Sequence, residues 1–377
     1  MRVVLYESSS YGGCYDYSLY LLRAYKENPD VSNVVLILPS CSGYSGEGVK
    51  KMLLPDQIKS KNKFYRKFHF LLRNILNPFI LFFYLLGQRE TLVLFNDFEQ
   101  LMAPLYAPFF KLFLKKHTFA VFLHDPDRDN YPPSQKISEF CMKSLMSFMK
   151  IGLYHDYLPN KPYYALKNTS FLSVPHGLYA SVSEDEKMYT EIKQKKGDSF
   201  LFSIIGNIRK EKNYHLAIEA LATIPTASLL IAGSPANSSV DTGELKRLAK
   251  QRDVEDRIFW IEKFFTNEEL SAVIAVSDCV LLYYAATFTS QSGILNLVAP
   301  YKKRLIAASV PSSLYACCKR FNIGKLAEAD NLEALTAAMQ ELVFEKNTKY
   351  DWENYLEYAS WSNQVTRVVE LLKTVQQ

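Results

Sequence analysis

The chain has 377 residues, of which 48% are hydrophobic and 22% are charged, with a net charge of +5 at neutral pH. This length is that of two domains, and the high apolar content excludes a disordered chain. The sequence shows no clean apolar run of about 20 residues, which excludes a multi-span membrane protein.

The predicted elements alternate along the chain: short apolar strands are separated by segments of helical period. In the first half, strands are predicted at Val3–Tyr6, Val34–Leu38, Leu92–Phe95, Phe119–Leu123, Ile151–Tyr154 and Phe171–Val174. In the second half, they are predicted at Leu201–Ile205, Ser228–Ala232, Arg257–Ile261, Cys279–Tyr283, Arg304–Ala307 and Lys325–Ala327. Helices are predicted at Tyr214–Ala222, Glu244–Arg252, Asn267–Val276 and Asn331–Val343.

This alternation predicts α/β architecture with parallel sheets, and it occurs twice. A polar segment without a strand, Tyr179–Ser199, separates the two halves. We therefore expect two Rossmann-like, doubly wound domains that face each other across a cleft, spanning residues 1–180 and 196–350. Residues 351–377 are expected to form a helix that packs back across both domains. Ligands of such sheets bind at the carboxyl ends of the strands.

The positive charge lies in the first half of the chain. Residues 1–180 carry 21 Lys and Arg against 14 Asp and Glu, and residues 181–377 carry 23 against 25. The segment 50–73 alone holds eight cations and one acid, Asp56. Such a segment is typical of a surface that meets either a nucleic acid or an anionic membrane.

The six cysteines do not form a C-x-x-C motif or a Cys/His cluster with zinc spacing. The sequence opens directly on an apolar strand, MRVVLYESSS, without the pattern of a signal peptide. We therefore expect a cytoplasmic protein with reduced cysteines and no structural metal.

The segment FSIIGNIRKEKN, residues 202–213, is the first motif with chemical content. A strand ends at Gly206, and the loop that includes Asn207 delivers Arg209 and Lys212 ahead of a helix that starts near Asn213. Glycine lets the backbone approach a ligand, and two cations can neutralise a diphosphate. The alternative is a solvated basic loop.

The segment DCVLLYYAATFTSQSGILNL, residues 278–297, is the second motif. Small hydroxyl residues precede a predicted helix start, with Thr289, Ser290 and Ser292 followed by Gly293 and Ile294. Free N–H groups at a helix start favour an anion. The alternative is ordinary N-capping by Ser290 or Ser292.

Taken together, the two motifs resemble the retaining nucleotide-sugar glycosyltransferases of the GT-B fold, family 4 type (glycosyl transferases group 1). GNIRKEKN resembles the G-x-I-R-x-x-K-x variant of that family's phosphate loop. TSQSG, followed by KKRLIAA, resembles its S-G-S-G…P-V-I-A loop. The resemblance implies a nucleoside-diphosphate sugar as donor, with Arg209 and Lys212 on the leaving diphosphate, and no metal cofactor.

The sequence departs from the family pattern at one point. Many members carry two glutamates in the second loop that bind the donor sugar and ribose, and Ser290 and Leu297 stand at those places. The backbone N–H groups of Ser292, Gly293 and Ile294 are still expected to hold phosphate.

In the first half, the resemblance points to the Gly12–Gly13 pair, as a loop near donor and acceptor, and to His124, as a residue that orients the donor sugar. The alternatives are a plain turn and a buried structural histidine. His176 is interpreted as mainly structural. The alternating acids Asp125–Asp129 after His124 are not interpreted as a metal motif. After the third strand of the second half, the resemblance places Glu262, Lys263 and Phe264 where relatives hold the nucleotide base through backbone contacts.

Residues 50–86 and 109–116 mix cations with aromatic and aliphatic residues, which is typical of an interfacial surface. The apolar run Ile75–Leu86 contains Pro78 and is too short to span a bilayer. The alternative is a core helix whose lysines are solvated, and no nucleic-acid motif accompanies the patch. Since many relatives extend lipid-linked glycans on the cytosolic face, the resemblance favours peripheral binding to the inner face of the membrane.

The sequence thus predicts a glycosyltransferase that acts with retention on a glycan or lipid-linked glycan acceptor in surface polysaccharide synthesis. One rival is a sugar-nucleotide epimerase, which would need acid/base carboxylates around the sugar. The other is a catalytically silent GT-B protein that serves as a binding or scaffold partner, and the residues at positions 290 and 297 support that rival.

Overall fold

The computed structural model describes residues 1–129, 134–236, 241–345 and 349–375. The chain divides into two compact units, Met1–Gly177 with Ser360–Gln377, and Leu178–Ala359. Each unit holds one parallel sheet with helices between its strands. The predicted pair of Rossmann-like domains is confirmed.

Among the residues that the structure describes, the first unit contains seven strands. They are β1 (Arg2–Tyr6), β2 (Asn33–Pro39), β3 (Val49–Leu53), β4 (Thr91–Phe95), β5 (His117–Leu123), β6 (Ile151–Tyr154) and β7 (Ser170–Ser173). Its helices are α1 (Gly13–Glu27), α2 (Lys63–Leu86), α3 (Ala103–Lys111), α4 (Gln135–Met146) and, from the end of the chain, α13 (Trp361–Val375).

The described part of the second unit contains six strands. They are β8 (Phe200–Ile205), β9 (Ala227–Ala232), β10 (Ile258–Ile261), β11 (Cys279–Leu282), β12 (Arg304–Ser309) and β13 (Lys325–Glu328). Its helices are α5 (Glu186–Lys196), α6 (Tyr214–Ala222), α7 (Thr242–Gln251), α8 (Asn267–Val276), α9 (Gly293–Val298), α10 (Ser313–Phe321), α11 (Leu332–Phe344) and α12 (Trp352–Tyr358).

The strand orders place a topological switch point in each sheet. The first sheet runs β3-β2-β1-β4-β5-β6-β7, and the second runs β10-β9-β8-β11-β12-β13. The order reverses between β1 and β4 in one unit and between β8 and β11 in the other. Ligands of doubly wound sheets bind beside such points, outside the carboxyl ends of the strands.

The central strands are apolar because helices cover both faces of each sheet. All five residues of β4 and all six of β9 are buried. Each sheet has a hydrophobic cluster on either face, so that each unit has a core of its own.

One strand, β3, does not appear among the predicted strands. Its sequence is VKKML, and only Leu53 is buried, because β3 is the edge strand of its sheet. Lysines on an exposed edge discourage pairing with other chains, but they also remove the apolar pattern from which a strand is predicted.

The chain crosses between the units twice. The polar segment around residues 179–199 contains helix α5, which packs against α8 in the second unit. The segment 351–377 forms two helices instead of the one expected: α12 joins the core of the second unit and α13 joins that of the first.

Helix α2 is longer than the apolar run Ile75–Leu86 predicted from sequence. Among the described residues it is the one helix long and apolar enough, by length and composition alone, to cross a membrane. Only its second half contributes fully buried residues, including Pro78, Leu81 and Leu85.

Candidate functional site

In the second unit, the site is built on a close approach of two backbones after β8 and β9. Gly206 has a φ of +88°, and a Cβ on Gly233 would lie 2.1 Å from the carbonyl oxygen of Gly206. Only glycine fits at position 233, and glycine adopts the conformation of residue 206 without strain. Sequence reasoning selected Gly206 and missed Gly233, which follows its strand just as Gly206 does.

The side chain of Lys212 folds back over this turn. Its Nζ donates a hydrogen bond to the carbonyl oxygen of Ile205 at 2.6 Å. The position that a Cβ on Gly206 would occupy lies 3.3 Å from Nζ of Lys212 and 3.0 Å from Cδ1 of Ile294. The structure therefore brings the two predicted loops together at the switch point between β8 and β11.

The turn carries two positive charges without a carboxylate partner among the described residues. Burial, reinforced by the neighbouring charge of Arg209, lowers the pKa of Lys212 to about 7. Within the described part of the chain, neither cation is ion-paired with a carboxylate, and Arg209 is exposed. An anion bound here would compensate both charges and raise the pKa of Lys212.

A hydrogen bond between two buried hydroxyl groups fixes the loop between β11 and α9. The hydroxyls of Tyr284 and Ser292 are hydrogen-bonded at 2.9 Å, and both side chains are buried. The Ser292 side chain does not cap α9, which contradicts the capping alternative for this residue. Thr289 and Ser290 lie half-buried in the same loop, and the Thr289 carbonyl accepts a hydrogen bond from the Ser313 N–H at 3.1 Å.

The residues Gly293 and Ile294 open α9, and no donor-binding carboxylate follows them in that helix. Gly293 has open space where a Cβ would be, and Leu297 packs against the core of the unit. Helix α9 has only six residues, so its dipole is weak and the loop backbone supplies the N–H groups.

A carboxylate that sequence reasoning missed fixes both loops. Asp330 accepts one hydrogen bond from the Asn213 side chain and one from the Ala286 N–H, each at 2.9 Å. The Ala285 N–H also donates to the carbonyl oxygen of Glu211 at 2.8 Å. Asp330 is 117 positions from Asn213, and no local pattern in the sequence signals this contact.

Two of the residues predicted to contact the base lie at the edge of the sheet, away from the switch point between β8 and β11. Lys263 and Phe264 follow β10, which is separated from β8 by β9. The ammonium of Lys263 pairs with Glu269 at 2.6 Å, and Phe264 is 84% exposed. Asn207 lies exposed on the loop after β8.

In the first unit, the side chains that follow β1, β4, β5 and β6 form a continuous hydrogen-bonded row. Asn96 donates to Glu7 at 2.6 Å, and its amide oxygen lies 2.9 Å from Nε2 of His124. Nδ1 of His124 lies 3.1 Å from Nε2 of His155, whose Nδ1 lies 3.0 Å from the Val174 carbonyl oxygen. His124 is thus at the predicted place, at the carboxyl edge of its sheet.

The protons in this row can be counted. Asn96 and Val174 each present an oxygen to the histidine pair, so the outer nitrogens of His124 and His155 must donate. The two inner nitrogens share a third contact, which needs a third proton, whereas two neutral rings carry two. Burial opposes the extra charge and lowers the pKa of His155 to about 4. Burial therefore favours two neutral rings over a protonated pair.

Aromatic rings enclose the histidine row. The Tyr17 ring meets His124, His176 and Trp361 edge-on, with centroids 4.5, 4.9 and 4.8 Å apart. Burial, together with the neighbouring His155, lowers the pKa of His176 to about 3. His176 is buried in this packing, and its structural role stays a prediction.

The loop after β1 faces carboxylates instead of cations. The hydroxyls of Ser8 and Ser9 donate to Asp97 at 2.9 and 3.3 Å, and the Ser10 N–H donates to Asp56 at 2.8 Å. The loop ends in Gly12, with a φ of +88°, and Gly13, where α1 starts. Open space surrounds both glycines at the Cβ position, so the backbone is accessible.

The alternating acids after His124 are engaged with cations. Lys161 lies 3.0 Å from Asp127 and 2.5 Å from Asp129, and Arg128 lies 3.9 Å from Asp125. Across the described residues, there is no group of three or more His, Cys, Asp or Glu side chains that could hold a metal ion.

Comparison with known proteins places this geometry in context. The family model of glycosyl transferases group 1 matches residues 185–288, which lie in the second unit. No curated protein matches the sequence.

Solved structures match nearly the whole chain. HepE from Anabaena, in complex with UDP and glucose, has a TM-score of 0.71 at 12% identity, covering 99% of this chain and 100% of its own. Sucrose-phosphate synthase from Thermosynechococcus elongatus has a TM-score of 0.68 at 13% identity, with 99% and 98% covered. WaaG, a glycosyltransferase involved in lipopolysaccharide biosynthesis, has a TM-score of 0.62 at 13% identity, and the match covers 98% of this chain and 99% of WaaG.

At such identities the structures establish the fold, and the family match establishes the resemblance within the second unit. The resemblance stated from the sequence is therefore confirmed for the fold and for the second unit: the chain has the GT-B fold of glycosyltransferases, and its second unit carries the match to glycosyl transferases group 1. Retention and the family 4 type stay predictions.

Proposed function

We propose that this protein transfers a sugar from a nucleoside-diphosphate sugar to a hydroxyl group of a glycan or lipid-linked glycan. The observation that carries the proposal is the pair of cations, Arg209 and Lys212, at the switch point of the second sheet. Neither is matched by a carboxylate among the described residues, although burial strongly disfavours a lone charge at Lys212. A diphosphate supplies the missing negative charge.

The chemistry follows from where charge develops. The bond between the anomeric carbon and the diphosphate oxygen breaks, and the acceptor oxygen forms the new bond to that carbon. The leaving diphosphate gains negative charge, which the two cations and the N–H groups of the loop 289–294 stabilise more strongly than they stabilise the donor. The acceptor proton leaves with the diphosphate or passes to solvent.

The other assignments follow the family resemblance. We propose retention at the anomeric carbon, no requirement for a metal ion, and a cytoplasmic location. His124 and the Gly12–Gly13 loop of the first unit serve the transferred sugar and the acceptor. The structural neighbours support a nucleotide donor: HepE is bound to UDP-glucose in one crystal structure, and a trehalose-phosphate synthase (UDP-forming) from Burkholderia xenovorans is bound to glucose-6-phosphate.

A role in surface polysaccharide synthesis is part of the same proposal. WaaG, which shares the fold, is involved in lipopolysaccharide biosynthesis. The acceptor is accordingly sought among glycans and lipid-linked glycans.

The decisive experiment removes the Lys212 charge. Lys212→Met keeps the length of the side chain, and we expect kcat to fall by about 10²–10³, because one preorganised group that stabilises the leaving charge is lost. Release of nucleoside diphosphate from UDP-, GDP- and dTDP-sugars is the measurement. The control is Lys210→Met, which removes an exposed charge from the same loop and should retain activity. Equal activity of the two variants would refute the proposal.

A catalytically silent scaffold is the second candidate, because positions 290 and 297 lack the acidic pair. A scaffold would still bind nucleoside diphosphate through Arg209 and Lys212, but it would show no transfer and no donor hydrolysis. An epimerase would interconvert donor sugars without releasing nucleoside diphosphate. Chromatography of the donor after incubation separates the three outcomes.

A further inference from the structure

Helix α2 carries a second apolar face that the core of its unit does not use. Helical spacing of three, four or seven residues aligns six side chains on one stripe: Tyr65, Phe68, Leu72, Leu76, Phe83 and Leu86. Phe68 is 53% exposed and Phe83 is 66% exposed. The buried residues Leu81 and Leu85 lie on the opposite side of the helix.

A neighbouring helix extends this apolar surface. Leu105, Phe109 and Leu112, in and just after α3, are 52%, 43% and 73% exposed and are also spaced four and three residues apart. The Phe79 and Phe109 rings meet edge-on with centroids 5.1 Å apart, which joins the two stripes. We call the combined surface the α2/α3 face. Large continuous exposed apolar surfaces mark interaction sites.

The charges at the ends of the α2/α3 face have one sign. Lys63, Arg66 and Lys67 lie in the first turns of α2, and Lys111, Lys115 and Lys116 lie at and beyond the end of α3. Residues 57–86 and 100–116 contain no Asp or Glu. A second copy of the chain docked on this face would bring these cations together, whereas an anionic lipid surface would neutralise them.

We propose that the α2/α3 face docks the protein on an anionic lipid bilayer. Helix α2 lies in the plane of the interface, because Leu81 and Leu85 hold its other side in the protein core. The exposed aromatic and aliphatic side chains enter the boundary between head groups and acyl chains, and the cations contact the head groups. This inference does not depend on the donor site of the second unit.

The docking face is coupled to the loop after β1. Nη1 of Arg73, from the middle of α2, donates to the Ser8 carbonyl oxygen at 3.4 Å, and the Ser8 hydroxyl donates to Asp97. The amide oxygen of Asn77, also on α2, accepts a hydrogen bond from the Leu54 N–H at 2.8 Å. A docked helix α2 thus holds the carboxyl edge of the first sheet near the bilayer, where a lipid-linked hydroxyl acceptor would be.

Flotation of the full chain with vesicles tests the proposal. We expect binding to vesicles of phosphatidylglycerol and phosphatidylcholine at low salt, loss of binding at high salt, and little binding to phosphatidylcholine alone. Phe68→Glu combined with Phe83→Glu should weaken partition by about tenfold or more, because buried aromatic area is lost. The control Phe344→Glu changes an aromatic residue of the second unit that is 76% exposed, and it should bind like the wild type.

A charge-reversal pair tests the electrostatic half of the proposal. Lys63→Glu combined with Lys67→Glu should weaken partition by about tenfold or more, whereas Lys187→Glu combined with Lys250→Glu should not. Donor hydrolysis without vesicles should be the same in all these variants, so that failure of docking is distinguishable from failure of the proposed transferase activity. Absence of flotation by folded protein, equal binding to neutral vesicles, or a solution dimer disrupted by Phe83→Glu would each overturn the proposal.

Discussion

The carboxyl edges of the two sheets differ in how their polar groups are satisfied. In the first unit, Glu7, Asn96, His124 and His155 bind one another in a row that burial keeps close to neutral. In the second unit, Lys212 finds a carbonyl oxygen but no carboxylate among the described residues. The first edge is therefore hydrogen-bonded along its length without a ligand, whereas the second holds a buried cation whose charge a bound anion would compensate.

The largest expected effect comes from adding a side chain where the backbones of Gly206 and Gly233 touch in the second unit. Gly233→Ala places a methyl group 2.1 Å from the Gly206 carbonyl oxygen, so one of the two turns must move. We expect a loss of about 3 kcal/mol or more in the free energy of unfolding. Chemical denaturation measures this loss. The control Gly43→Ala, where a Cβ meets open space, should change stability by less than about 0.5 kcal/mol.

The second prediction concerns the histidine row of the first unit. His155 has a pKa lowered by burial to about 4, so the unfolded chain binds a proton that the folded chain rejects between about pH 6.5 and pH 4. The free energy of unfolding should therefore fall by about 3 kcal/mol through this group as the pH drops across that window.

His155→Gln removes the titration and keeps a polar side chain, so the acid loss of stability should shrink. Denaturation midpoints measured from pH 7 to pH 4 give the comparison. His215→Gln, which replaces an exposed histidine of the second unit, is the control for the loss of a histidine outside the row. If the His155 variant lost as much stability between pH 7 and pH 4 as the wild type, the neutral, buried histidine row would be contradicted.

The smallest expected effect is the stabilisation of the second unit by a bound nucleoside diphosphate, which compares the two carboxyl edges directly. A nucleoside diphosphate at about 100 times its Kd should stabilise the wild type by about 2.7 kcal/mol, because it binds only the folded second unit. Lys212→Met should abolish most of this thermal shift, whereas His124→Gln should preserve it. An equal loss of the thermal shift in both variants would contradict the proposal that the diphosphate binds at Lys212 and not at His124.

Much of the fold could be predicted because buried parallel strands are continuous apolar runs. The predicted strand Ile151–Tyr154 and the helices at residues 214–222 and 267–276 coincide with the observed elements. The strand β3 was missed because an exposed edge needs no apolar pattern. The contact of Asp330 with Asn213 was missed because it joins distant parts of the chain.

The histidine row was partly within reach of the sequence. Both His124 and His155 directly follow predicted strands, and each is followed by an aspartate. The parallel register pairs Leu123 with Tyr154, so the next residue on each strand is a histidine beside a histidine. The missing information was that β5 and β6 are neighbours, which depends on strand order and not on local pattern.

The return of the chain to the first unit also sets the order in which the protein can be completed during synthesis. The core of the first unit includes Val365, Val368 and Leu372 of α13, which are translated after the whole second unit. The first unit, although its strands are translated earlier, therefore cannot complete its core until the second unit has been translated as well. Until α13 is translated, the apolar side chains of α1 that it covers lack this part of their packing.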